Sequence, residues 1–227
     1  MSMLDTTLNQ LSGYFIVFDG PDGCGKTTQM NALITRLEAQ GVKVRRLREP
    51  GGTAIGEQIR KILLDPDNES MDVRCEMLLY MASRAQLVHE QIKPALAAGE
   101  CVLSDRFASS TLAYQGGGGG MDLQLILDVT KSAVGDTYPD LTIIFDLDID
   151  QAMMRLNPLL TSGAGLFQDR IEQRTRDYFQ RVRENYLWQA KQWPERYRVV
   201  DAGKPIAHVE KQVLKTLEEF FKDRRSP

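Results

Sequence analysis

The chain has 227 residues and a formal net charge of −3. That length suits one α/β domain with a sizeable core, and the mildly acidic balance disfavours a protein drawn as a whole to nucleic acid or to an anionic membrane, so any phosphate ligand must be met by local cations. Cys24, Cys75 and Cys101 are odd in number and lack C-x-x-C spacing, and His89 and His208 stand far apart, which together argue against a disulfide framework or a zinc centre.

Residues 1–12 are polar and are expected to form a flexible arm ahead of a single domain over 13–227. The apolar run behind them is too short for a signal peptide or a membrane span, which predicts a cytoplasmic protein. Tyr14 to Asp19, rich in β-branched and aromatic residues, predicts a strand. The next stretch, Gly20-Pro21-Asp22-Gly23-Cys24-Gly25-Lys26-Thr27, fits G-x-x-x-x-G-K-[ST] at every fixed position, and Lys26 to Gln40 reads as an amphipathic helix. Strand, glycine loop and helix follow in the order a polyphosphate site requires. The glycines let successive N–H groups point into one concavity, and the helix start adds its positive dipole end. Lys26 would reach the β- and γ-phosphates of a nucleotide such as ATP, the Thr27 hydroxyl would bind Mg²⁺, and Thr28 belongs to the same nucleotide site. Cys24 in this loop is expected to be a spectator thiol.

Val42 to Leu47 alternates as a strand does, and Arg48-Glu49-Pro50-Gly51-Gly52-Thr53 forms a loop at its C-terminal end, where open parallel sheets bind ligands. Arg48 and Glu49 there fit either a ligand site or a solvated ion pair. Thr53 can cap a helix from Ala54 to Leu64, and a longer helical stretch runs from Val73 to Ala98, with Tyr80 and Arg84 on one face. Cys101 to Ser104 is a buried-type strand with Asp105-Arg106 at its end, a position from which the carboxylate can hold Mg²⁺ through water and the arginine can bind phosphate bidentately. Gly116 to Gly120 makes either a flexible turn or a close backbone approach, and flexibility is the expectation.

A helix from Asp122 to Val134 follows, then Leu141 to Leu147, an apolar run that predicts a central strand covered on both faces. Ile149 to Leu156 is a short helix, and Asn157 to Gln168, which carries no charge, is expected to be a mobile lid. Asp169 to about Gln192 reads as a charged helix, Tyr197 to Val200 as a last strand, and Ile206 to Lys222 as a closing amphipathic helix. Five strands alternating with helices predict an α/β fold, a five-stranded parallel sheet flanked by helices on both faces. No Asn-Lys-x-Asp guanine-reading stretch is present, and a small chain with a lid favours a phosphotransferase.

Leu103 to Gln115, Leu-Ser-Asp-Arg-Phe-Ala-Ser-Ser-Thr-Leu-Ala-Tyr-Gln, resembles the signature of thymidylate kinases. Further blocks agree in order: the Arg-Glu-Pro-Gly-Gly-Thr loop at Arg48 to Thr53, the base-binding helix at Leu78 to Gln86, the Pro-Asp-Leu strand at Pro139 to Leu147, and the Asp-Arg-Ile-Glu motif at Asp169 to Glu172. The resemblance runs from Gly13 to Phe221. It implies a P-loop nucleoside monophosphate kinase fold and transfer of the γ-phosphoryl group of ATP to dTMP, giving dTDP and ADP, in dTTP biosynthesis, by a Mg²⁺-dependent homodimer. By the same resemblance Arg106 grips the dTMP phosphate with Arg48 nearby, Tyr80 stacks on thymine, Arg84 donates to thymine O4, and Ser110 and Thr111 lie near N3. Tyr114 crowds the sugar at C2′, Asp22 contacts the 3′-hydroxyl or the magnesium shell, and the Asp201 to Pro205 loop lies near adenine.

Two departures from the family pattern stand out. Many relatives without an arginine in the phosphate loop carry several in the lid, whereas Asn157 to Gln168 has none. Arg155 before it and Arg170 after it are the candidates to reach the transferring phosphoryl group. Gly119 stands where some relatives have arginine. Other readings are a kinase for another deoxynucleotide or nucleoside, a nucleotide binder without turnover, and a nucleic-acid-stimulated ATPase, which the acidic balance disfavours.

Overall fold

The computed structural model describes residues 3–161, 169–171 and 174–224. Among them, strands β1 (Phe15–Asp19), β2 (Val44–Arg48), β3 (Cys101–Asp105), β4 (Leu141–Asp146) and β5 (Tyr197–Asp201) form one sheet in the order β2-β3-β1-β4-β5, every pairing parallel. Apolar runs occupy the middle of the sheet because only there are both faces covered: β1 is buried along its whole length, whereas β2 and β5 at the edges are partly exposed.

The helices are α1 (Met3–Asn9), α2 (Lys26–Ala39), α3 (Ala54–Leu64), α4 (Val73–Leu87), α5 (Lys93–Ala97), α6 (Ala108–Thr111), α7 (Leu123–Val134), α8 (Ile149–Thr161), α9 (Arg176–Gln192) and α10 (Ile206–Asp223). Successive residues of β1 feed opposite faces of the sheet. Ile16 and Phe18 join a core with Met30, Leu33 and Leu37 of α2 and with Val213 and Leu217 of α10, while Phe15 and Val17 join another with Leu87, Val88 and Ile92. The C-terminal ends of β1 and β3, where the strand order reverses, therefore open a crevice on one edge of the sheet.

The structure departs from the sequence reading at four places. The expected N-terminal arm is helix α1, and Leu8 and Leu11 are buried in the same core as Phe220 and Phe221, so apolar contacts hold it down. α8 continues to Thr161, five residues into the segment expected as a lid; residues 162–168 of that segment, and Glu172 of the motif after it, lie outside the described residues. The charged helix begins at Arg176 rather than Asp169, because the Thr175 hydroxyl accepts from the Tyr178 N–H and caps it there. The first three glycines of the stretch, Gly116 to Gly118, belong to a π-helical segment, Leu112–Gly118, and are packed against neighbours, while Gly119 and Gly120 are exposed. A Cβ added at Gly117 would lie 2.5 Å from Asn185 Cβ, and one at Gly118 would lie 2.6 Å from the Tyr178 ring, so glycine is what lets this segment lie against α9.

Candidate active site

The Gly20 to Thr27 loop leaves β1 and enters α2 through Gly25, whose left-handed φ of 90° a side chain resists. Gly20 serves a second purpose: a Cβ there would come within 2.6 Å of the Phe145 carbonyl oxygen. The Lys26 ammonium turns back into the loop, donating to Gly20 O at 3.0 Å and Pro21 O at 2.8 Å, with Cys24 Sγ at 3.6 Å. Burial pushes the Cys24 thiol up, against the pull of Lys26, which suits an inert thiol.

The sheet delivers the next groups. Because β3 lies between β1 and β2, Asp105 is aligned with Phe18 on one side and Arg48 on the other. Thr27 Oγ1 donates to Asp105 Oδ2 at 3.0 Å, so the two expected metal-binding side chains meet at the mouth of a cleft of about 1000 Å³. Two hard oxygen donors beside the loop fit a divalent ion that keeps several waters and is completed by phosphate oxygens. Among the described residues no group of three or more His, Cys, Asp or Glu side chains forms an all-protein cage. Thr28, Lys26, Arg48, Arg60, Arg106 and Arg155 line the same cleft, so its wall is cationic although the chain is acidic.

Arg106, the residue after β3, has a left-handed φ of 72°, a strained backbone for a non-glycine residue. Its amide donates to Phe18 O and its carbonyl accepts from Ser104 Oγ at 2.8 Å, which fixes the turn. Its guanidinium then spans Asp22 Oδ1 at 2.7 Å, Tyr114 OH and Ser110 Oγ, both at 3.1 Å, and Tyr186 OH at 3.3 Å. Burial raises the Asp22 carboxyl, but Arg106 and Lys26 pull harder, and it is held at about 2.

A smaller cavity of about 190 Å³ adjoins the cleft, and Asp22, Glu49, Arg60 and Arg106 line both. Tyr80, Ser110, Thr111, Tyr114 and Gln115 line it. Two buried oxygens among its lining residues, Glu49 Oε1 and Thr111 Oγ1, have no hydrogen-bond partner. Leaving a buried polar atom unpaired costs about 1–3 kcal/mol, so these two oxygens are strained positions in the cavity wall.

Arg84 is placed differently from the expectation. It is buried and commits its guanidinium to Glu49 Oε2 at 2.8 Å, Phe107 O at 3.0 Å and Met81 Sδ at 3.3 Å, so it sits behind the cavity wall rather than on it. Burial raises the Glu49 carboxyl and Arg84 opposes this; the pair is a buried structural unit whose free oxygen belongs to a cavity-lining residue.

The two candidate arginines separate as well. Arg155 lies at the cleft, donating to Gly23 O at 3.5 Å and Ala202 O at 3.1 Å, and so joins the glycine loop to the 201–205 loop. Arg170 is buried, ion-paired with Glu76 and donating to Leu63 O at 3.1 Å; Glu76 also holds Arg174 at 3.3 Å and Gln115 at 2.7 Å. In this geometry only Arg155 of the two faces the phosphate loop.

Sequence reasoning missed Asp19, Arg60, Glu76, Ser109 and Tyr186. Asp19 offered a signal, a carboxylate closing an otherwise apolar strand. Tyr186 offered none, since it reaches Asp19 Oδ1 at 2.6 Å across 167 positions from a helix that looked like a wet face.

A family model described as thymidylate kinase matches residues 18–213. The chain is 45% identical over 215 residues to a thymidylate kinase of Pseudomonas savastanoi pv. phaseolicola, covering 95% of this chain and 100% of that one. It is 43% identical to a thymidylate kinase of Exiguobacterium sibiricum, covering 94% and 98%, and 44% identical to one of Pelotomaculum thermopropionicum, covering 93% and 95%.

Proposed function

The chain belongs to the thymidylate kinase family, and from that premise and the geometry of its two joined cavities we infer that it transfers the γ-phosphoryl group of ATP to dTMP, giving dTDP and ADP. The observation that carries the reading is the shared wall. A polyphosphate in the larger cleft and a monophosphate nucleotide in the smaller cavity would meet at Arg106 and Asp22.

The acceptor needs no strong general base, since a phosphate monoester with a second pKa of about 6 is already largely dianionic at neutral pH. Catalysis then rests on alignment and charge neutralisation. Lys26 gives up its loop carbonyls for phosphate oxygens, Arg155 approaches from the side of the 201–205 loop, and Arg106 and Arg60 take the acceptor phosphate with Arg48 nearby. Mg²⁺, held by Thr27 and Asp105, would neutralise charge on the donor phosphates. Tyr80 covers one face of the base, Ser110 and Thr111 lie near its polar edge, and Tyr114 and Asp22 face the sugar.

A coupled assay with dTMP, dUMP, dCMP, dGMP and the ribose analogue of dTMP tests this reading. We expect strong preference for dTMP; comparable turnover of dCMP would refute the base site. Arg155→Ala should slow turnover by about tenfold or more, and a loss within about threefold, only about 0.65 kcal/mol in barrier, would remove Arg155 from the phosphoryl site.

The chain also acts as a homodimer in this reading. Ile55, Ile62, Leu78 and Leu125 are exposed on α3, α4 and α7, helices that pack in that sequence, and an apolar surface of this kind suits a second copy. Sedimentation at micromolar concentration should give twice the chain mass. Among the described residues no helix is long and apolar enough to cross a membrane. In this reading the chain works in the cytoplasm, in dTTP biosynthesis.

A further inference from the structure

The two terminal nitrogens of Arg106 face unlike partners. NH2 donates to Asp22 Oδ1 at 2.7 Å and to Tyr114 OH at 3.1 Å, on the side of the cavities. NH1 lies 3.1 Å from Ser110 Oγ and 3.3 Å from Tyr186 OH, but 3.5 Å from Asp19 Oδ1. Asp19 is fully buried, and its carboxylate is filled mainly by uncharged donors: Ser109 Oγ at 2.5 Å, Tyr186 OH at 2.6 Å, Ser110 Oγ at 2.7 Å and Gly20 N at 2.9 Å. Each is closer than the guanidinium. The hydroxyls of Ser110 and Tyr186 thus stand between a buried carboxylate and the arginine it balances.

The arrangement answers a physical conflict. A partly buried guanidinium needs a counter-charge to hold it in place, yet a close forked pair with a carboxylate would use up the donors that a phosphate must later take. Interposed hydroxyls keep the charge balance and weaken the direct pair. Asp22 differs from Asp19 in the way an exchangeable partner should: its side chain is 38% exposed, so water can receive it when it is displaced, whereas that of Asp19 is 0% exposed.

We propose that Tyr186 is a positioning residue for the acceptor phosphate, a spacer that with Ser110 keeps Asp19 from pairing closely with Arg106, so that NH2 can exchange Asp22 for phosphate oxygens. The inference rests on reading Arg106 as the grip on the dTMP phosphate. Loss of the Tyr186 hydroxyl lets Arg106 close on Asp19 and withdraws it from the cavity.

The test is calorimetric binding of dTMP and of thymidine, which shares the base and sugar but lacks the phosphate, to the unaltered protein, Tyr186→Phe and Arg106→Gln. The unaltered protein should prefer dTMP. Arg106→Gln should abolish the preference, and Tyr186→Phe should reduce it about tenfold, the scale of one weakened charge-assisted hydrogen bond, with thymidine binding unchanged. In turnover the KM for dTMP should rise with that for ATP unaltered. If Tyr186→Phe melts at lower temperature but keeps the preference, or weakens both ligands equally, the tyrosine is structural only and the proposal fails. If Arg106→Gln keeps the preference, the underlying assignment of Arg106 fails first, and the spacer role with it.

Discussion

Two glycine-rich stretches of this chain look alike in composition and do opposite work. Gly20 to Gly25 surrounds an open cleft: Gly20, Gly23 and Gly25 have φ values of 138°, 75° and 90°, and nothing lies within 4 Å of a Cβ placed on Gly25. Backbone conformation requires glycine there. Gly116, Gly117 and Gly118 have no left-handed φ, yet a Cβ at Gly117 or Gly118 would strike α9, and at Gly116 the Leu123 side chain lies 2.4 Å away. Here space requires glycine. The first stretch opens onto the cleft through Gly23 and Gly25, while the second spends its absence of side chains on packing the helix that carries Tyr178 and Tyr186 against Tyr114.

The largest expected effect falls beside the packed stretch. Glu76 is fully buried and receives Gln115, which precedes Gly116, together with Arg170 and Arg174. Arg170→Ala leaves much of that charge uncompensated and should cost about 3–5 kcal/mol of stability, read as a lower urea midpoint. Lys26→Ala, in the open stretch, should instead leave the midpoint near its original value and lower kcat/KM by about 10²- to 10³-fold, the scale of losing one preorganised charge stabiliser. If Lys26→Ala unfolded the protein and Arg170→Ala only slowed it, the contrast between the regions would be reversed.

Substitution pairs sharpen the contrast at the glycines themselves. Gly25→Ala should cost about 1–2 kcal/mol through its left-handed backbone, and Gly25→Asn, which tolerates that region better, should cost less. At Gly117 the order should invert: Gly117→Ala overpacks against Asn185 Cβ and the Arg181 carbonyl at a cost of about 1–3 kcal/mol, and Gly117→Asn should be worse. Thermal unfolding of the four variants decides between conformation and space as the cause.

The smallest expected effect is electrostatic. Asp22 has its carboxyl at about 2 against an ordinary 3.8, because Arg106 and Lys26 outweigh the opposing push of burial. A carboxyl lowered on folding contributes stability that is present above 3.8 and lost as pH falls through about 2. Unfolding free energies should therefore fall less steeply for Asp22→Asn than for the unaltered protein across that acid window. The difference should be modest because the Asp22 side chain is 38% exposed and solvent screens it.

Local order made much of this protein legible in its sequence. The apolar runs that became β1, β3 and β4, the glycine loop, Lys26 and Thr27, and Asp105-Arg106 at a strand end depend on spacing within a few residues, and such spacing survives in a linear reading. Parallel strands with short ends also bring Arg48, Asp105 and the loop to one edge without further information. What only the tertiary structure decided is which charged groups are spent inside the fold and which face a ligand. Arg84 and Arg170 look no different in sequence from Arg106 and Arg155, but partners 35 and 94 positions away, Glu49 and Glu76, bury the first two. Burial, not residue type, sets whether an arginine is structure or site, and burial is a property of segments brought together from the whole chain.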